Sequence, residues 1–488
     1  MAANIRTATK RTPLYREIAA KISRMIQQGS YRPGERLPSI RELSCRLRIG
    51  INTTTQAYAL LENARIVEAR PQSGYYVCQR SQTLEKRQGM LQAKTDISAS
   101  SVCLGETHMQ IISTIADKRL IPLGRGVPCI ELLPIAKLNR MLATQGRLYP
   151  KDCISYSAAN GSIRLRTQIA KRSLDYGCAF SPEQVIVTSG CMEAVALALL
   201  TICRAGDTVV VESPTNYTFL NFIQWMGLKV LEIPTSSKDG INLDVLSYAI
   251  QQNTIRACIV ISNFTNPIGC LTPDAKKREL VRLLAKHDIA LVEDDIYGDL
   301  GFGHNRPAAY KSHDENEHGF LCSSFSKTLA PGYRVGWIAP PTRYLEKIKD
   351  LKSLLNMATP SPTQLAVAEF LSNGGYDRHL RATRKILCER MTAMRESILR
   401  NFPFGTRVTT PDGGYLLWVE MPEEIDTFKL FQETLKEGIS IAPGRLFSTN
   451  DRFKSCMRLN CSFWSERIEK VIQTIGRIAG RALLPNVR

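Results

Sequence analysis

Hydrophobic positions keep a helical period at the start of the chain and change to strand–helix alternation further on. Leu14, Ile18, Ile22, Met25 and Ile26 fall at the spacing of one buried helix face, and Gly29 is placed to end that helix. The turn RPGERLPS follows, with Ser39 as N-cap of a short helix from Ile40 to Leu47, whose second turn exposes Arg46 and Arg48. Gly50 breaks the chain, and Asn52-Thr53 offers the cap of a second helix running through Tyr58 and Leu61 to about Ala64. Two short β segments, Ile66–Ala69 and Tyr75–Val77, are joined by Arg70-Pro71-Gln72-Ser73-Gly74. From about residue 119 onward, runs such as Gln184–Thr188, Thr208–Glu212, Ala257–Ser262 and Ile289–Glu293 alternate with amphipathic stretches. Short strands separated by helix-sized segments predict an α/β domain, a mainly parallel sheet with helices on both faces.

Between these regions, residues 81–118 are polar and mixed, with weak periodicity. The segment reads as a linker; the alternative is an extra helix packed on the domain that follows. The 488 residues thus divide into a helical unit with a β-ribbon over 11–80, a linker over 81–118 and a large domain over 119–488. The longest uninterrupted apolar run, Ala194 to Leu200, is far too short to cross a bilayer, and MAANIRTATKR at the start holds no apolar stretch for a signal peptide. A cytoplasmic protein without a membrane partner is expected. Fourteen cysteines lie singly, with no C-x-x-C pair and no His at zinc spacing, so free thiols and no metal site are expected.

Charge sharpens the reading of the first unit. The whole chain carries a net +19, and residues 1–80 hold 14 Lys/Arg against 5 Asp/Glu. Two helices joined by a tight turn and followed by a hairpin make a winged helix-turn-helix, and a basic unit of that shape suits double-stranded DNA. The order P-S-x-R-E-L, A-Y-x-x-L-E and R-P-x-S-G-Y resembles the GntR family of bacterial DNA-binding domains over nearly all of residues 13–78, with Gly50 and Ile51 where that family usually has Ser and Arg. The resemblance implies that Arg41 acts on the DNA; an ion pair with Glu42 or Glu62 is the alternative. Thr53 and Gln56 open the recognition helix, where side chains reach base edges, and Arg70 stands beside the wing tip, within reach of phosphate or the minor groove.

In the large domain the informative stretch is SSFSKTLAPGYRVGW. Lys327 lies between Ser324, Ser326 and Arg334; an amine beside two hydroxyls and a guanidinium suits a phosphate-bearing aldehyde, the amine forming a Schiff base. Upstream, Asp294 and Tyr297 come just past an apolar strand, Asn266 follows another, and the backbone N–H groups of Gly190, Cys191 and Met192 open a helix after a third. Together these residues resemble the fold-type I pyridoxal-phosphate enzymes, the aspartate aminotransferase superfamily, over roughly 119–488. That implies a large aminotransferase-like domain with a smaller C-terminal α/β subdomain. By this resemblance, Lys327 bonds the cofactor, pyridoxal 5′-phosphate, and Asp294 pairs with its pyridine nitrogen. Asn266 and Tyr297 flank the ring hydroxyl, and Tyr217 stacks on the ring. Ser324, Ser326, Arg334 and the Gly190–Met192 backbone hold the phosphate. Arg458 grips a substrate α-carboxylate, and Tyr156 reaches the phosphate of a neighbouring subunit.

The order of the two halves resembles the MocR subfamily of bacterial regulators, in which the large domain binds pyridoxal phosphate and acts mainly as a sensor in a head-to-tail homodimer. The expected function is regulation of transcription at a DNA operator, with a small amino compound or pyridoxal phosphate as effector. A working aminotransferase acting on an amino acid is the alternative.

Overall fold

A computed structural model of the chain describes residues 14–27, 31, 34–47, 49–63, 66–70, 73–77 and 98–482. They form two compact units, divided between Asp96 and Ile97.

In the first unit, α1 (Leu14–Gln27), α2 (Ile40–Leu47) and α3 (Ile51–Asn63) precede a hairpin of β1 (Val67–Arg70) and β2 (Gly74–Val77). Ile18, Ile22 and Ile26 of α1 are buried with Leu43, Tyr58 and Leu61, the helical stripe read from the sequence. Ser39 accepts from Glu42 N, as an N-cap does. The third helix starts earlier than expected: Gly50 O accepts from Thr53 N and Thr54 N, so Asn52 and Thr53 lie within the first turn rather than capping it. Arg70 belongs to β1, paired with Gly74, rather than to the connection. Gly29 and Arg48 lie outside the described residues.

The second unit begins before residue 119. Its first pieces, β3 (Ser100–Ser101) and α4 (Glu106–Ile115), fall in the expected linker, but Val102, Ile111 and Ile115 are buried in the large core. Spacing of four between two isoleucines is enough to dock a helix, so the packed alternative holds for 98–118. The rest of that segment, 81–97, lies outside the described residues.

The framework is a nine-stranded sheet built from β3, β4 (Ile186–Thr188), β5 (Thr208–Ser213), β6 (Lys229–Ser236), β7 (Ile255–Ile261), β8 (Ala290–Asp294), β9 (Gly319–Ser324), β10 (Gly336–Ala339) and the short strand Gly240–Ile241 beside β6. The order is β3-β6-β5-β7-β8-β9-β10-β4, parallel from β6 through β9, with β10 antiparallel to both its neighbours. Every residue of β5 and β9 is buried, as strands covered on both faces must be. The four expected strands are present with ends shifted by one or two residues; β4 is shortened because Pro182–Gln184 forms a helical turn. Helices α5 (Cys191–Ile202) and α6 (Tyr217–Trp225) follow β4 and β5, and the long α7 (Gly375–Asn401) leads to a second, four-stranded sheet. That sheet comprises β11 (Arg407–Val408), β12 (Leu416–Glu420), β13 (Ala442–Pro443) and β14 (Cys456–Asn460), and is followed by α8 (Glu466–Arg481). No helix among the described residues is long and apolar enough to cross a membrane.

Candidate active site

The parallel strands deliver their chemistry at their carboxyl ends, where an open sheet places its ligands. Asp294 is the last residue of β8, level with Ile261 on β7 and Cys322 on β9, and is buried. Cys191 Sγ donates to Asp294 Oδ1 at 3.1 Å. Burial pushes the Asp294 carboxyl up to about 6, against the pull of the Cys191 contact and of Lys327.

Lys327 follows β9 by three residues and donates from Nζ to Gly126 O at 2.7 Å, a carbonyl that also accepts from Tyr415 Oη at 3.1 Å. Removal from water draws its ammonium down to about 8, with Asp294 opposing. Its neighbours are fixed from beneath. Tyr376 Oη donates to Asp299 at 2.7 Å and contacts Thr328 Oγ1 at 2.8 Å. Arg306 bonds Asp299 at 2.7 Å and also Asp295, the residue beside Asp294. Two buried acids and one arginine, whose side chain is 6 % exposed, form a paired network next to Asp294.

Around the start of α5 the groups suit an anion. Gly190 has φ 96° and offers no side-chain cap, leaving the amides of the first turn without intrahelical partners. Arg334 packs on it so closely that a Cβ at Gly190 would lie 2.3 Å from a guanidinium nitrogen. Arg334 itself donates to Ser189 O at 2.6 Å. Thr188, Gly336 and Ser324 are level across β4, β10 and β9, which brings Ser324 to the same edge, and Ser324 Oγ accepts from Ser326 N at 3.3 Å.

Arg458, in the middle of β14 between Trp418 and Ala442, is 1 % exposed. It donates to Asn266 Oδ1 at 2.8 Å and Gly124 O at 2.6 Å, while its Nε has no hydrogen-bond partner among the described residues. The Tyr217 ring lies 5.9 Å from its guanidinium carbon. Tyr297 is buried edge-on to Tyr415, their ring centres 5.7 Å apart; burial raises its phenol, with Arg458 opposing.

The large unit therefore gathers Gly190–Met192, Tyr217, Asn266, Asp294, Tyr297, Ser324, Ser326, Lys327, Arg334 and Arg458 around the strand ends. Tyr156 is not among them: it stands 81 % exposed. Gly124, Gly126, Tyr415 and the Cys191 thiol were missed in the sequence. The two glycines act through carbonyls, which leave no side-chain signature. On the first unit Arg41 and Gln56 are exposed and Thr53 is half-buried. Glu42 pairs with Arg46 at 2.6 Å, which leaves Arg41 unpaired among the described residues, while Arg70 pairs with Glu68 and lies over the Tyr76 ring.

Residues 14–77 match the family of bacterial regulatory proteins named for gntR, and residues 118–475 match aminotransferase class I and II. Two Escherichia coli proteins are similar over their whole length. The uncharacterized HTH-type transcriptional regulator YjiR is 35% identical, covering 96% of this chain and 99% of the relative. The uncharacterized regulator YdcR is 34% identical, covering 95% and 98%. The chain is a MocR-type regulator of the GntR family. Among solved structures, a Pyrococcus horikoshii kynurenine aminotransferase superposes with TM-score 0.73 at 25% identity, covering 78% of this chain and 96% of that one. The Thermus thermophilus α-aminoadipate aminotransferase LysN gives 0.72 at 27%, covering 76% and 95%. This MocR-type regulator thus joins a helix-turn-helix DNA-binding domain to a fold-type I aminotransferase domain, a class that depends on pyridoxal phosphate.

Proposed function

We propose that the large domain of this regulator binds pyridoxal phosphate at the strand ends and senses it, or an amino compound that reacts with it, to change operator binding. The observation that carries the reading is the start of α5. Gly190 is pressed by Arg334 on one side, and Cys191 holds Asp294 on the other. One helix turn thereby links a cationic, amide-rich corner to a buried carboxylate, with Lys327 close enough for Asp294 to act on its ammonium.

The residues fit the cofactor. A Cβ at Gly190 would fill the space beside Arg334, and Asp294 is buried with a thiol as its side-chain hydrogen-bond partner. Arg458 keeps a buried donor, Nε, without a partner among the described residues. Arg334, Ser324, Ser326 and the Gly190–Met192 amides would hold the phosphate; Asp294 would pair with the ring nitrogen; Asn266, Tyr297 and Tyr217 would surround the ring. When bound, the cofactor supplies an electron-withdrawing ring that stabilises charge next to an amine. Lys327 anchors it through Nζ and, with its ammonium drawn down to about 8, can take up or return a proton there near neutral pH. Arg458 orients a carboxylate-bearing amine. Tyr156, exposed in one chain, would complete the site of a second subunit in a head-to-tail homodimer. The exposed Arg41 and Gln56, with Thr53 and Arg70, would meet the operator, in a bacterial cytoplasm.

The alternative, a working aminotransferase, keeps its support in the same assembly of Lys327, Asp294 and Arg458. Half-reaction kinetics with a panel of amino donors, run beside operator affinity with each donor present, separate the two. Slow turnover with a change in affinity supports the sensor; rapid turnover without one supports the enzyme.

A further inference from the structure

Residues 444–451, after β13, meet Arg458 at one end and the segment leading into the large unit at the other. Phe447 is fully buried, its ring centre 5.0 Å from the Arg458 guanidinium carbon and 5.9 Å from the Tyr217 ring centre. The next two residues are gripped by a single carboxylate. Glu232 on β6, 7 % exposed, accepts from Ser448 Oγ, Thr449 N, Thr449 Oγ1 and Ser213 Oγ, each at 2.7 Å. Among the described residues it has no cation, so these four donors are what offset the cost of burying the carboxylate.

The strand that carries Glu232 also holds the leading segment. Ser100 and Ser101 of β3 pair with Val230 and Lys229 of β6, two and three residues from Glu232. Leu104 N donates to Gln224 on α6, the helix that begins at Tyr217. Ser448 and Asn450 face Cys103, Gly105 and His108 across a cleft of about 170 Å³. Two buried nitrogens on its walls, His108 Nε2 and Arg445 Nε, have no hydrogen-bond partner among the described residues, so no bond from either fixes one wall to the other.

We propose that Glu232, through Ser448 and Thr449, relays the state of Arg458 to residues 100–108, and along the chain to the DNA-reading unit. The inference rests on the sensing function proposed above. A carboxylate that engages Arg458 competes with Asn266 and Gly124 for the guanidinium and shifts it against Phe447. The loop cannot follow alone, because its next two residues are bonded to β6, and β6 is paired with β3. Glu232 is a positioning residue, acting through its bonds to Ser448 and Thr449.

The test uses full-length protein and a duplex that it selects from random DNA. Affinity is measured without ligand, with pyridoxal phosphate, and then with each of the common L-amino acids added. Wild type is expected to shift by about 5–150-fold with one of these. A Ser448→Ala/Thr449→Val variant should keep the cofactor's absorbance and the ligand-free affinity while the shift falls below about twofold, and Thr449→Ser should retain it. A full shift in the double variant overturns the relay alone. No shift in wild type overturns the sensing function and the relay with it. Should the double variant not fold, hydrogen exchange on wild type decides. Amides of 100–108 and 447–449 should change together on ligand addition, and a shift in DNA affinity without that change overturns the relay.

Discussion

Cys191 Sγ lies 3.1 Å from Asp294 Oδ1 and so joins the first turn of α5 to the end of β8. The thiol thereby aims the carboxylate, while the Lys327 ammonium acts on it as well. Asp294→Asn keeps the shape and loses the charge. Pyridoxal-phosphate affinity should fall by about 1.5–3 kcal/mol, the worth of a hydrogen bond to a charged group, read by absorbance titration. Unchanged affinity would detach Asp294 from the ring.

Gly190 is the position least able to change. Its φ of 96° disfavours any side chain, and an added Cβ would displace the Arg334 guanidinium. Gly190→Ala should weaken cofactor binding by roughly tenfold or more while leaving the DNA-reading unit's own fold intact, as far-ultraviolet dichroism and DNA binding would report.

Glu212 gives a pH signature that can be read without added cofactor. It is buried on β5, and its Oε2 accepts from Ile261 N at 2.9 Å. Burial pushes it up to about 8, the backbone bond opposing and the Asp294 charge adding. A carboxyl raised in the fold binds its proton there while the unfolded chain has lost it. Stability therefore falls as pH rises from about 4.5 to about 8, then levels, at up to about 1.4 kcal/mol per pH unit. Glu212→Gln keeps the acceptor and should flatten that part of the thermal-stability profile between pH 6 and 8.5. An unchanged slope would refute the assignment.

On the DNA-reading unit, Gln56→Ala should relax one base preference at a cost of about 1–3 kcal/mol if it reads an edge. Arg41→Ala should weaken binding nearly uniformly across sequences and lower the salt dependence by about one ion. Binding-site selection at two salt concentrations checks both. An unchanged Arg41 variant would remove it from the interface.

Much of this site was legible in the chain because each part sits where one strand ends. Asp294, Asn266 and the Gly190 turn each follow an apolar run whose length marks a covered strand. What was hidden acts through backbone or through distant contacts. Gly126 receives Lys327 by its carbonyl, and Tyr415 comes from the turn just before β12, which periodicity alone could not assign to the same cavity. The packed segment at 98–118 reads as linker in the sequence because polar residues surround its two docking isoleucines. The start of α3 differs from the sequence reading because Asn52-Thr53 carries a cap's chemistry while Gly50 supplies the carbonyl.

The central claim is that the chemistry at Lys327 reports to the DNA. Borohydride should fix pyridoxal phosphate to Lys327 in the wild-type protein, and operator affinity, measured before and after cofactor and amino compounds are added, should shift by about 5–150-fold. Lys327→Ala should lose both the fixed chromophore and the shift. Covalent fixation at Lys327 together with an operator affinity indifferent to every cofactor and amine addition, and with rapid turnover of one donor, would contradict the account.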